Sequence, residues 1–252
     1  MLETQMSKQI RKYQQKCFNE YLDDIGVSQP YIFPEGNLIR PLPPVQTTTN
    51  NLMIIGAYPS ARFEKRRNSL NRYRTIPIGN NLHPFAKEVY FDGIDVRVLE
   101  SGDRIREYIF DPLRVAPEEC WVTDLVKVFL YKKDHRDSVN DIFPNFKVPV
   151  LRNKFLELGK KSLNWIQQEI KLCTPSMILT LGEEVAKVVD DSRKKAPDLL
   201  TNEIRHPEKL FSTPTVFLPH PDACRRNKEW KESLDNQLVT INEFLTKKST
   251  VR

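Results

Sequence analysis

Three apolar runs in this chain end in short stretches of polar and turn-forming residues. Leu52-Met53-Ile54-Ile55 leads into Gly56-Ala57-Tyr58-Pro59-Ser60. Cys120-Trp121-Val122 leads into Thr123-Asp124-Leu125-Val126-Lys127. Thr215-Val216-Phe217-Leu218 leads into Pro219-His220-Pro221-Asp222. Parallel strands bind ligands beyond their carboxyl ends, so three such endings predict one crevice. It would hold an imidazole, two carboxyls and a glycine turn. Such groups stabilise developing charge beside a backbone that a ligand can approach closely. Each ending also has a plainer reading taken singly, because Gly-Pro turns simply stop strands.

The elements that must position these residues are legible as periodicity. Residues 5–24 place Met6, Ile10, Tyr13, Cys17 and Tyr21 on one helical face. A Pro-rich passage from Ser28 to Asn51 reads as an extended surface loop. Leu52–Ile55, Cys120–Val122 (extending toward Val128), Met177–Leu181 and Thr215–Leu218 read as buried strands, their continuous apolar character being that of a sheet covered on both faces. Leu151 to Ile170 reads as a helix with Leu151, Phe155, Leu158, Leu163, Ile166 and Ile170 on its inner side. Gly182 turns into a helix over Glu183–Val189, with two acidic residues where the helix dipole favours them. Residues 190–214 read as mostly loop. Trp230, Leu234, Leu238, Ile241 and Leu245 mark a last helix, with a frayed tail after Lys247. Strands alternating with helices predict a three-layer α/β/α sandwich around a mostly parallel four-stranded sheet. The expected organisation is a helix and Pro-rich loop over 1–50, packed on a domain over 51–247.

Composition bounds the rest. The 252 residues suffice for one large domain, and the net charge of +6 hints at a polyanionic partner. Cys17, Cys120, Cys173 and Cys224 are widely spaced, which predicts free thiols, no metal site and no cofactor. Lys8, Arg11 and Lys12 interrupt the start of the chain. No apolar run approaches the roughly 20 residues of a membrane span. The expected location is the cytoplasm, with no membrane association and no obligate protein partner.

The ordered series of motifs resembles the uracil-DNA glycosylase superfamily, its family 4 and 5 branches above all. Gly56 to Ser60 is similar to that family's first turn, and Pro84-Phe85 to its Pro-Phe pair. Trp121 to Lys127 is similar to its middle strand, Ile178-Leu179-Thr180-Leu181-Gly182 to its Leu-Gly strand, and His220-Pro221-Asp222 to its last motif. The resemblance spans residues 52–226 and implies a pocket for a base extruded from single- or double-stranded DNA. It implies that Phe85 stacks on the base, contributing on the order of 1–3 kcal/mol. It implies that His220 stabilises the anionic leaving group, and that Gly56, Ala57, Tyr58 and Pro59 lie against the nucleotide. Phe85 as a plain core aromatic and His220 as an idle loop residue are the alternatives.

The chain departs from the family where the chemistry occurs. Relatives place a carboxylate or Asn in the two positions after the first Gly, and here stand Ala57 and Tyr58. Glu88, Asp124 and Asp222 are the candidates to replace that acid, since a carboxylate stabilises an oxocarbenium-like transition state. Asp124 stands where the family usually has Asn. An ionised carboxylate only accepts hydrogen bonds, so it would repel uracil O4 and favour an exocyclic amine. Asp124 could equally be a capping or salt-bridged residue facing away. The dispersed cysteines do not match the iron–sulfur ligands of family 4. Ser60, Arg62, Arg66 and Arg67 on one wall, and Arg225 and Arg226 on the other, are candidates for phosphate contact. Three readings follow: a metal-independent DNA glycosylase, a binder that kept the fold without catalysis, and a hydrolase of free nucleotides. The basic rim argues against the last, because a small substrate needs no phosphate track.

Overall fold

Side chains alternate faces along a strand, and each central run has apolar residues at both parities, so each is buried from both sides. The computed structural model describes residues 4–85, 87–191 and 193–249. In chain order its strands are β1 (Leu52–Gly56), β2 (Ala61–Arg67), β3 (Tyr73–Asn80), β4 (Glu88–Phe91), β5 (Val96–Leu99), β6 (Trp121–Asp124), β7 (Met177–Leu181) and β8 (Thr215–Leu218). The helices are α1 (Gln5–Asp24), α2 (Ser101–Ile105), α3 (Asp111–Leu113), α4 (Lys133–Ile142), α5 (Phe155–Cys173), α6 (Glu183–Asp190), α7 (Ala196–Leu199), α8 (Pro221–Arg226) and α9 (Lys228–Ser249). A π-helical turn, Arg106–Phe110, joins α2 to α3.

β6, β1, β7 and β8 form, in that order, a wholly parallel sheet. Met53, Ile55, Ile178 and Phe217 face a layer that includes Tyr13, Cys17 and Tyr21 of α1, Trp165 of α5 and Val185 of α6. Leu52, Ile54, Leu179 and Leu218 face the other layer, with Ile105 of α2 and Leu234, Leu238 and Ile241 of α9. The α/β/α sandwich expected from the sequence is therefore present. No helix among the described residues is long and apolar enough to cross a membrane.

Several boundaries differ from expectation. The strand at 120–128 stops at Asp124, because the chain there turns to hydrogen-bond the β1 loop: the Leu125 N–H donates to Gly56 O at 2.8 Å and the Val126 N–H to Ala57 O at 2.9 Å. The helix expected from Leu151 begins at Phe155, after a 3₁₀ turn at Arg152–Lys154, and runs on to Cys173. Met6 is exposed rather than packed. The loop at 190–214 contains the short α7, and the last helix persists to Ser249.

The basic passage at 60–83 is a β-hairpin of β2 and β3. Asn68 closes its turn, its Oδ1 accepting from the Leu70 and Arg72 N–H groups at 3.1 and 2.9 Å. A second hairpin, β4–β5, is closed in the same way by Asp92, whose Oδ1 accepts from the Ile94 and Asp95 N–H groups. Their charged surfaces hid both hairpins, since neither buries a continuous apolar run.

Candidate active site

The strand order reverses direction between β1 and β7, and the crevice of such a sheet opens beyond the carboxyl ends at that point. The β1 turn supplies its floor. β6 contributes Asp124 on one side. Beyond β7, the loop following β8 contributes His220.

Gly56 and Asp124 are directly paired in the parallel register, so their side-chain directions coincide. A Cβ built on Gly56 would lie 2.3 Å from Asp124 Oδ1 and 2.6 Å from Phe85 Cζ. The carboxyl and the aromatic ring therefore meet over a glycine that has no volume to spare. Phe85 holds a left-handed backbone conformation, φ 54°, and its ring packs against the α9 layer. Three motifs well separated in the chain thus converge within contact distance. Gly56→Ala should displace Asp124 or Phe85, lowering stability by about 1–3 kcal/mol. Any reaction that the crevice supports should slow on the order of 100-fold, since small misplacements carry such costs. Melting temperature and single-turnover rate check this together.

Asp124 is almost wholly buried, and among the described residues no group hydrogen-bonds its carboxyl. Burial, opposed by Lys127 and reinforced by Glu169, pushes its proton affinity up to about 7. Lys127 itself is fully buried behind the chain. Its Nζ donates to Thr123 Oγ1 at 2.7 Å and to the Asp124 carbonyl at 2.8 Å, and pairs with Glu169 Oε1 of α5 at 2.6 Å. Glu169 also accepts from Trp121 Nε1 at 2.8 Å and from the Tyr13 hydroxyl. This buried pair fixes the turn that presents Asp124.

His220 caps α8. The Asp222 N–H donates to its Nδ1 at 3.1 Å. A backbone N–H can only donate, so Nδ1 is bare and the neutral ring carries its proton on Nε2. His220 is exposed at the surface, yet desolvation by the chain packed around it lowers its proton affinity below the usual range, partly offset by Asp222. Gly182, at φ +92°, lets the α6 turn pass beside it: a Cβ there would lie 3.7 Å from His220 Cβ. A neutral imidazole with a free Nε2–H is a hydrogen-bond donor suited to negative charge developing on a bound group.

The other expected residues are placed as follows. Pro59 is buried, Ala57 half-buried and Ser60 exposed. Tyr58 turns to the opposite layer, packing on Phe155 with ring centroids 6.0 Å apart. Its hydroxyl accepts from Arg152 Nε at 3.0 Å, and Arg152 also pairs with Glu184 in the first turn of α6. Glu184 is close enough to be felt by His220. Arg152 and Glu184 carry no motif of their own; the only signal for Glu184 is its place just after the Leu-Gly turn. Glu88 is buried in a pair with Arg62 at 2.7 Å and accepts from the Leu82 N–H. Asp222 pairs with Arg104 of α2.

On the rim, Arg66 pairs with Glu35 and Glu64, and Arg67 donates to Asn71 beside the Tyr73 ring. Arg225 is exposed on α8, and Arg226 Nε donates to Asp222 O at 3.0 Å. The four cysteines are free and buried in the core. Among the described residues no group of three or more His, Cys, Asp or Glu could hold a metal ion.

Comparison with known protein families gives one match. The family model described as the uracil DNA glycosylase superfamily matches residues 43–245. No curated protein matches the chain.

Proposed function

Because this chain belongs to the uracil DNA glycosylase superfamily, we propose that its crevice extrudes and excises a uracil-type, deaminated or modified pyrimidine from DNA. The observation that carries this reading is the meeting of Gly56, Phe85 and Asp124 in one contact cluster at the mouth of a parallel sheet. In this reading Phe85 stacks on the base and Asp124 meets its hydrogen-bonding edge. His220 Nε2–H stabilises the charge that accumulates on the base as the glycosidic bond breaks, and water attacks the anomeric carbon. The unit that does this is residues 51–247, with 1–50 packed upon it.

The acid that assists the water is the open element of the site. Glu88 is engaged by Arg62 and the Leu82 N–H, so its lone pairs are largely committed. Asp222 binds Arg104 through Oδ1, which leaves its second oxygen open beside His220. Asp222 is therefore the better of the two. A second reading, a DNA binder without catalysis, is favoured by Ala57 and by the commitment of Tyr58 to Arg152.

An abasic-site assay separates these readings. Oligonucleotides carrying uracil, hypoxanthine, xanthine, cytosine or modified cytosines, in single and double strands, are treated with the protein and then with alkali. Strand cleavage at a pyrimidine position is the expected result. Tight, salt-sensitive binding with no cleavage on any oligonucleotide would establish the silent binder instead.

The role of the basic rim is tested separately. Arg225→Ala with Arg226→Ala should weaken DNA binding irrespective of sequence. The slope of log affinity against log salt should fall by roughly 1–2, about one for each phosphate that the variant no longer neutralises. An unchanged slope would place the DNA track elsewhere.

A further inference from the structure

Asp124 is nearly enclosed, its backbone carbonyl is held by Lys127, and no hydrogen bond from a described residue reaches its carboxyl. Its oxygen points to the place where Gly56 lacks a side chain and the Phe85 ring begins. The carboxyl oxygens are not among the fully buried atoms left without a partner, so the carboxyl keeps an opening through which a ligand can complete it. The charged groups that face it are Lys127, from its own turn, and Glu169, from α5. These are paired with each other at 2.6 Å, so neither is free to neutralise a carboxylate. The β1 turn and the Pro84-Phe85 loop bring no charge.

We propose that Asp124 reads the extruded base as the neutral acid, so that the site accepts both keto and amino pyrimidine edges and closes when Asp124 ionises. This rests on the base-excision reading above. A neutral carboxyl offers one O–H donor and one carbonyl acceptor. Against uracil, the O–H donates to O4 and the carbonyl accepts from N3–H. Against cytosine, the carbonyl accepts from an N4–H and the O–H donates to N3. Which oxygen carries the proton decides between the two, with no rotation of the side chain. An ionised carboxylate fits neither edge: it faces the O4 lone pairs of uracil or the N3 lone pair of cytosine. The sequence expectation, that an ionised Asp124 disfavours uracil, changes because burial and the preoccupied Lys127 hold the proton on.

Two measurements on the full chain and on Asp124→Asn test this. The first is excision of uracil and of cytosine between about pH 6.5 and about pH 8.5, a range that brackets the raised proton affinity of Asp124. The wild type should lose activity toward about tenfold per pH unit above neutrality. The variant, which keeps a donor and an acceptor but cannot ionise, should stay flat on uracil. The second is thermal stability. A carboxyl with raised proton affinity stabilises the fold when protonated, and that contribution is lost as pH rises from about 4 through about 7. Asp124→Asn should therefore gain on the wild type across that window.

Equal pH profiles on uracil for the two proteins would overturn the proposal while leaving base excision intact. So would a stability difference that does not change with pH. Excision by neither protein on any oligonucleotide would overturn both readings.

Discussion

Replacing His220 with alanine is expected to slow base release by roughly 10²–10³-fold, the usual consequence of removing one donor from a site of developing negative charge. The Asp222 N–H bond to Nδ1 leaves the donor on Nε2, so the whole of that contribution sits on one ring nitrogen. Stability should change little, by about 1 kcal/mol, since what the fold loses is one helix cap. The pH dependence gives a second check. Desolvation lowers the proton affinity of the ring, so the neutral donor survives below the usual histidine range. If the neutral ring is the working form, acidification from about pH 7 to about pH 6 should raise the rate no more in wild type than in His220→Ala, where protonation of Asp124 acts alone. A rate that climbs on acidification in wild type, and not in His220→Ala, would assign the work to the imidazolium instead. Single-turnover rates separate these outcomes from effects on DNA binding.

The second large effect is on the fold. Lys127→Met should lower stability by roughly 3–5 kcal/mol, the range for removing one member of a buried ion pair and leaving the other uncompensated. For a chain of this size that is a fall on the order of 10 °C in melting temperature. Glu169 would keep donors from Trp121, Tyr13 and Thr123 but lose the fully buried cation it pairs with. The double variant Lys127→Met with Glu169→Gln should recover part of the loss, because no charge is then stranded in the core. If the single and double variants melt alike, the pair is not the source of the effect. Lys127 also holds the Asp124 carbonyl, so the single variant should lose excision more than its stability alone explains, measured well below its melting point.

Much of this molecule can be read before it is folded. The apolar runs at 52, 121, 177 and 215 specify a buried sheet, because strands covered on both faces carry apolar residues at both alternating positions. Gly56 and Gly182 sit at their carboxyl ends, which marks where the crevice lies. The ordering of Gly-x-x-Pro, Pro-Phe, Thr-Asp, Leu-Gly and His-Pro identifies the family, which the match over residues 43–245 shows. The β2–β3 and β4–β5 hairpins were not legible, because charged residues break up their apolar positions and their turns depend on the side chains of Asn68 and Asp92.

Which way each group faces, and what it meets there, is set by long-range packing. Tyr58 follows Gly56 by two residues, yet lies on the opposite layer against Phe155 and Arg152. Glu88 was available as an acid in the sequence and is taken by Arg62 in the fold. Lys127 and Glu169 are distant in the chain and meet in the core, so neither can neutralise Asp124. The charge state of Asp124 follows from that arrangement. Residue type and spacing suffice for the strands, the crevice and the family, because these are local properties of the chain. The ionisation and orientation of the groups in the crevice arise only on folding, because electrostatics and packing depend on distances that no local pattern encodes.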